Sequence, residues 1–211
     1  MNARYRFDGP FAHLPHTARD EALALTRRAI DAEGGLWVFG YGSLLWRPCF
    51  DVVESRRAAV AGFAVGLNVW TVEARGTPDR PGLGLGLIEQ DGGRAQGVLL
   101  KAAVNQLDAA LESLWEREML TGVYQPRWLE AAVVETGEPV RCLGFCVDPT
   151  HPQAAPELPI ETKAHLIRSA SGVLGACTEY VVATVAALEK LGLSHPQLRD
   201  VLTRLERDDC L

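Results

Sequence analysis

The order of the apolar runs constrains this chain more than any other feature. LWVFGY at 36–41, AAVAGFAVGLNVW at 58–70, GLGLGLIEQ at 82–90 and AQGVLLKA at 95–102 follow one another within the first half. Each is rich in β-branched, aromatic or aliphatic residues, and they read as strands broken by turns such as Asp91-Gly92-Gly93. WLEAAVVE and VRCLGFCVDP add two strands around Thr136-Gly137-Glu138-Pro139. Helical patterns then take over: ETKAHLIRSA, TEYVVATVAALEKL, and a last segment after Ser194 with Pro196 early and Gln197 at the capping-box position. Two earlier helices are expected. One covers 18–33, started by Thr17 with Asp20 three residues on and stopped by Gly34-Gly35; the other covers about 106–120, with Asn105 as its cap. Strands in the first two thirds and helices in the last third point to an α+β fold rather than a doubly wound sheet. With 211 residues, 47% of them hydrophobic, the chain can bury a full core.

Charge excludes some partners. The net charge is −6, and the 21 Lys and Arg residues gather into nothing larger than doublets, so no nucleic-acid footprint is present. No apolar stretch nears the roughly 20 residues that cross a bilayer. The opening MNARYRFDGPFAHLPHTARDE lacks the apolar middle of a secretory signal, and a soluble cytoplasmic protein without nucleic-acid or membrane partners is expected. The five cysteines contain no C-x-x-C pair, which argues against a disulfide framework or structural zinc. Cys142 and Cys146, four apart in one strand, share a face and are expected to pack. His13 and His16 sit in an N-terminal loop and His195 beside a helix start, where surface or capping roles suit them. GLGLGL is no phosphate loop, because its third glycine falls at the wrong spacing and no Lys-Ser/Thr follows. Its alternation puts Gly82, Gly84 and Gly86 on one strand face, open to close approach by another backbone or a ligand.

Two stretches carry the candidate chemistry. In NQLDAALESLWEREML, the apolar positions Leu107, Leu111, Leu114 and Trp115 form a helical stripe, and the next position on it is Glu118. Glu112 and Glu116 point away. A carboxylate on an apolar face must be paired, hydrogen-bonded or partly neutral, and burial raises its pKa toward the range of general acid–base work. Two readings stand open at Glu118: a catalytic carboxyl, or a structural one paired with Arg75 or Arg127 or reaching solvent at the helix end. The second stretch is FGYGSLLWRP at 39–48, where a strand runs directly into Gly-Tyr-Gly-Ser. Two glycines there suit a tight turn against which something packs closely, and its N–H groups can form an anion nest.

FGYGSLLWRP, RGTPDRPG at 75–82, LWEREMLTGVY at 114–124 and SGVLGACTEYV at 171–181, in that order, resemble the ChaC-type γ-glutamylcyclotransferases. The likeness runs from about 36 to 192. It implies a small mixed β-barrel with flanking α-helices over 36–211, preceded by an extension over 1–35 with one helix. It also implies cleavage of glutathione to 5-oxoproline and cysteinylglycine without metal or cofactor. Residue by residue, the resemblance gives Glu118 the acid/base role. Tyr41, Gly42, Ser43 and Leu44 become the loop that holds the γ-glutamyl group, and Arg75, Tyr124 and Tyr180 become supporting contacts. Arg75 could equally form a surface ion pair, and the two tyrosines could equally be core residues. One departure is plain: Cys177 stands where the family pattern has Asn, and a thiol is the weaker donor and acceptor, which bears on substrate preference. Two alternatives remain, action on other γ-glutamyl amino acids or amines, and a non-catalytic binding or regulatory protein of the same fold, as the family's proposed link to cation transport suggests.

Overall fold

The computed structural model describes residues 5–30 and 35–208. It divides into two compact units, one of residues 12–65 and 87–149, the other of residues up to 11, 66–86 and from 150 on. The first contains most of a closed five-stranded barrel: β1 (Trp37–Gly40), β2 (Val52–Thr71), β3 (Gly82–Ala102), β4 (Tyr124–Val133) and β5 (Pro139–Val147), in the order β1-β3-β2-β4-β5. β1 and β3 run antiparallel with Phe39 opposite Leu99, and β4 and β5 form a hairpin with Trp128 opposite Leu143. β5 closes the barrel by pairing in parallel with β1 at Val38–Leu143 and with β3 at Leu87–Cys146. Closure leaves no free sheet edge between these strands. Val38, Phe39, Leu87, Leu99 and Leu143 are fully buried.

Two helices belong to this unit, α1 (His16–Arg28) and α2 (Leu107–Glu118). α2 buries Leu111, Leu114 and Trp115, and the Trp115 ring meets Phe145 of β5 edge-on at 5.8 Å. The same indole N–H donates to the Arg19 carbonyl (3.1 Å) while Arg19 Nη2 donates to the Trp115 carbonyl (3.2 Å), joining α1 to α2. The second unit holds α3 (Ile160–Ser169), the short hairpin β6 (Ser171–Gly172) and β7 (Gly175–Ala176), α4 (Cys177–Lys190) and α5 (Pro196–Asp208), with a core that includes Ile167, Val181, Leu198 and Val201. Lys163 of α3 is buried, its Nζ donating to Glu157 Oε1 at 2.7 Å. Among the described residues no helix is long and apolar enough to cross a membrane.

The α+β expectation and the barrel with flanking helices hold, and several local details differ. The predicted strands 82–90 and 95–102 are one strand, β3, which runs through Asp91-Gly92-Gly93 with Gly92 at a left-handed φ of +69°. α1 starts at His16 after Pro15 and has no side-chain cap, so Thr17 and Asp20 lie inside it; it ends at Arg28, short of the expected stop at Gly34-Gly35, of which Gly34 lies outside the described residues. Asn105 does not cap α2 but sits in a preceding 3-10 turn, Val104–Gln106. At α5 the cap is His195, whose Nδ1 faces the Leu198 N–H at 3.4 Å, whereas Gln197 accepts from the Leu67 N–H at 2.9 Å. Cys142 and Cys146 are buried free thiols, as their shared face implies.

Candidate active site

β1 ends at Gly40, and the chain enters a 3-10 turn over Ser43–Leu45. Tyr41 is buried and its hydroxyl donates to the Phe145 carbonyl of β5 at 2.7 Å. That bond ties the start of the turn to the closing strand and commits the Tyr41 side chain to the barrel. The first hydrogen bond of the turn is Leu45 N–H to Gly42 O (3.0 Å), followed by Trp46 and Arg47 N–H to Ser43 O (3.3 and 2.8 Å). In a 3-10 turn the leading N–H groups, here those of Ser43 and Leu44, precede the first intrahelical bond and point out of its start. Leu44 is buried and anchors the turn.

Glu118 is the last residue of α2, and its side chain is 14% exposed. The helical stripe predicts this: Leu111 and Leu114 are fully buried, and Glu112 and Glu116 are exposed. Burial pushes the Glu118 carboxyl above the usual carboxylate range, and the Arg117 guanidinium beside it offsets part of that rise. The ion-pair partner differs from both expected ones. Glu118 Oε1 lies 3.2 Å from Arg117 Nε, while Arg127 pairs with Glu89 at 2.6 Å and Arg75 pairs with Glu179.

Arg117 is the residue that sequence reasoning missed. Its Nη2 donates to Ser43 Oγ at 2.5 Å and its Nη1 to the Arg47 carbonyl at 2.6 Å. One guanidinium therefore spans the turn after β1 and the end of α2. The helical wheel could not reveal this, because position 117 lies about 100° away from the stripe that singles out Glu118. Cys49, just beyond the turn, is partly buried; burial raises its thiol pKa, Arg117 lowers it and Glu118 raises it. Tyr124 opens β4 opposite Val147 in the same unit.

Arg75 and Tyr180 belong to the second unit. Arg75 is largely buried, its Nη1 donating to the Ala176 carbonyl (3.1 Å) and pairing with the exposed Glu179 (3.1 Å). Its own N–H donates to Thr71 Oγ1 at 3.0 Å. The Tyr180 hydroxyl is buried and accepts the Leu85 N–H at 3.2 Å. Cys177 is fully buried at the start of α4, its Sγ donating to the Leu83 carbonyl at 3.4 Å, and burial pushes its thiol up to about 11. No group of three or more metal-ligating side chains occurs among the described residues.

Comparison with known proteins places the chain in a family. The chain is 35% identical over 189 residues to the glutathione-specific γ-glutamylcyclotransferase of Escherichia coli (strain K12), covering 90% of this chain and 80% of that protein. It is 30% identical over 168 residues to the human glutathione-specific γ-glutamylcyclotransferase 1, covering 78% and 73%. Its fold resembles the crystal structure of a selenomethionine-labelled γ-glutamylcyclotransferase specific to glutathione from yeast, with a TM-score of 0.74 at 19% identity over 83% of this chain and 97% of that one. Residues 36–208 match the family model described as ChaC-like protein, and the chain belongs to that family.

Proposed function

We propose that this protein is a γ-glutamylcyclotransferase that cleaves glutathione to 5-oxoproline and cysteinylglycine, with Glu118 moving the proton. The observation that carries the assignment of Glu118 is a carboxyl 14% exposed at the end of an apolar helical stripe, in a chain 35% identical to a protein of that activity. The substrate supplies its own nucleophile. Its α-amino nitrogen attacks its γ-carbonyl carbon, a five-membered ring closes, and the carbon–nitrogen bond to cysteinylglycine breaks. The α-ammonium must first lose a proton, which Glu118 accepts, and the same carboxyl returns it to the departing amine. A second proton passes from the ring nitrogen to that amine, which leaves as an ammonium, so that a neutral lactam N–H remains and atoms and charge balance without water or an oxidant.

Because the attack is intramolecular, the protein's main task is to hold a folded conformer of the substrate. The leading N–H groups of the Ser43–Leu45 turn suit a carboxylate or a carbonyl oxygen that gains charge. Tyr41 serves this task through its backbone, since its hydroxyl is taken by Phe145. Arg75, Tyr124 and Tyr180 stand as supporting substrate contacts on the family pattern. We assign the activity to the family-matched stretch 36–208, with 1–35 as an extension. Cytoplasmic residence belongs to the same proposal, and the free thiols of Cys49, Cys142, Cys146 and Cys177 suit a reducing compartment.

The test is incubation of the purified protein with millimolar reduced glutathione, with and without a chelator, and mass spectrometry of the products. Wild-type protein should release 5-oxoproline and cysteinylglycine, and Glu118→Gln should lower turnover by about 10²–10⁴-fold while remaining folded. Retained turnover in Glu118→Gln removes the carboxyl from the mechanism. Product only from other γ-glutamyl compounds would move the substrate assignment, with Cys177 as the first position to revert to Asn.

A further inference from the structure

The cyclisation step gives Arg117 no task, yet its guanidinium bridges the turn after β1 and the end of α2. Its side chain is 24% exposed, and each of its nitrogens faces a protein acceptor. Nη2 donates to Ser43 Oγ (2.5 Å), Nη1 to the Arg47 carbonyl (2.6 Å), and Nε lies 3.2 Å from Glu118 Oε1. The first two acceptors belong to the turn after β1 and the third to the end of α2. A guanidinium is planar, and its donors keep a fixed fork, so the three contacts cannot adjust independently. A shift of the turn must carry the cation with it relative to Glu118.

We propose that Arg117 is a positioning residue that couples the Ser43–Arg47 turn to Glu118, so that one cation sets both the segment holding substrate and the group moving the proton. The inference rests on the cyclisation reading of this site. With its three nitrogens already directed at protein acceptors, Arg117 acts as a brace between the turn and the helix end and not as a substrate clamp.

The charge half of the coupling has a definite sign. Among the described residues two titratable groups face Glu118, Arg117 from its own helix and the Cys49 thiol from the segment after the turn. The Cys49 thiol is raised above its ordinary value and so is neutral near pH 7, which leaves Arg117 as the charge acting on Glu118. Arg117 pulls the carboxyl down against the push of burial. Without the guanidinium the carboxyl rises further, and a base must be ionised to accept a proton. The acid limb of the kcat/KM profile therefore moves to higher pH.

Two variants of the full chain separate charge from fork. Arg117→Gln removes the charge, and Arg117→Lys keeps it on an ammonium that cannot face three acceptors in a plane. Carbon-13 NMR of protein labelled at glutamate carboxyls, with the Glu118 signal identified by its loss in Glu118→Gln, reads the carboxyl directly. Arg117→Gln should raise the Glu118 midpoint and the acid limb with glutathione together, by about one pH unit or more. Arg117→Lys should hold both within about half a unit while raising KM at least about fivefold. An unmoved midpoint in Arg117→Gln overturns the charge coupling, and wild-type KM in Arg117→Lys overturns the brace. Should Arg117→Gln fail to fold by circular dichroism, Arg117→Lys decides alone: a wild-type KM rejects the coupling, and a raised KM with an unmoved midpoint supports it. A wild type that turns over no γ-glutamyl compound would sink the reaction assignment, while the NMR midpoint would still report on Arg117 and Glu118.

Discussion

Glu118 is a carboxyl placed against its own solvation preference. Burial holds Glu118 above the usual carboxylate range even with Arg117 alongside. For an acid whose folded pKa exceeds its unfolded one, the folded state binds the proton more tightly. Ionisation therefore subtracts from stability, with the loss accruing as pH rises from the unfolded toward the folded value and persisting above it. Glu118→Gln carries no such charge. It should melt higher than wild type at neutral pH, and the gap should close as pH falls through the carboxylate range. Thermal melts of both proteins at matched pH check this, and a gap that widens on acidification contradicts the raised carboxyl. Glu118 was legible in the sequence because helical periodicity fixes which face a residue occupies. Its partner was not, because Arg117, Arg75 and Arg127 are equivalent as letters and only the packed chain chooses among them.

The glycine strand shows how far an element can be read from its pattern. Alternation along β3 correctly buries Leu83, Leu85 and Leu87 and leaves glycines opposite. The close approach expected on that face occurs at Gly82, where a Cβ would lie 2.8 Å from the Arg75 carbonyl and 2.9 Å from Cys177 Sγ. At Gly84 the nearest atom would be the Val69 carbonyl at an ordinary 3.8 Å. Gly82→Ala should therefore cost about 1–3 kcal/mol through overpacking, whereas Gly84→Ala should stay within about 1 kcal/mol of wild type. Urea denaturation of the two variants checks the contrast, and equal effects would deny Gly82 its special neighbours. Helix ends were less legible than strands. Local letters proposed Thr17, Asn105 and Ser194 as helix starts, with Gln197 at the box position after Ser194, but Gln197 bonds Leu67 and His195 meets α5 instead. Capping depends on which donor a side chain reaches first, and tertiary contacts compete for it.

At the scale of the whole molecule, β5 does the closing. Leu143 is fully buried and sits opposite both Trp128 of β4 and Val38 of β1. Leu143→Ala should destabilise by about 2–5 kcal/mol, measured by urea unfolding, because a cavity at the closing strand cannot be filled by one neighbour alone. A cost below about 1 kcal/mol would mean that closure does not depend on that side chain. By itself the sequence determined the α+β class, the order of strands and helices, and the faces on which Leu111, Leu114 and Glu118 lie. These follow from periodicity and short-range sterics, which act between residues a few positions apart. Only the tertiary structure decided that 82–90 and 95–102 are one strand, that β5 runs parallel to β1, and that Arg117 reaches Ser43 and Arg47 across some 70 residues of chain. Such pairings lower the free energy only after the chain has closed on itself, so no local pattern encodes them.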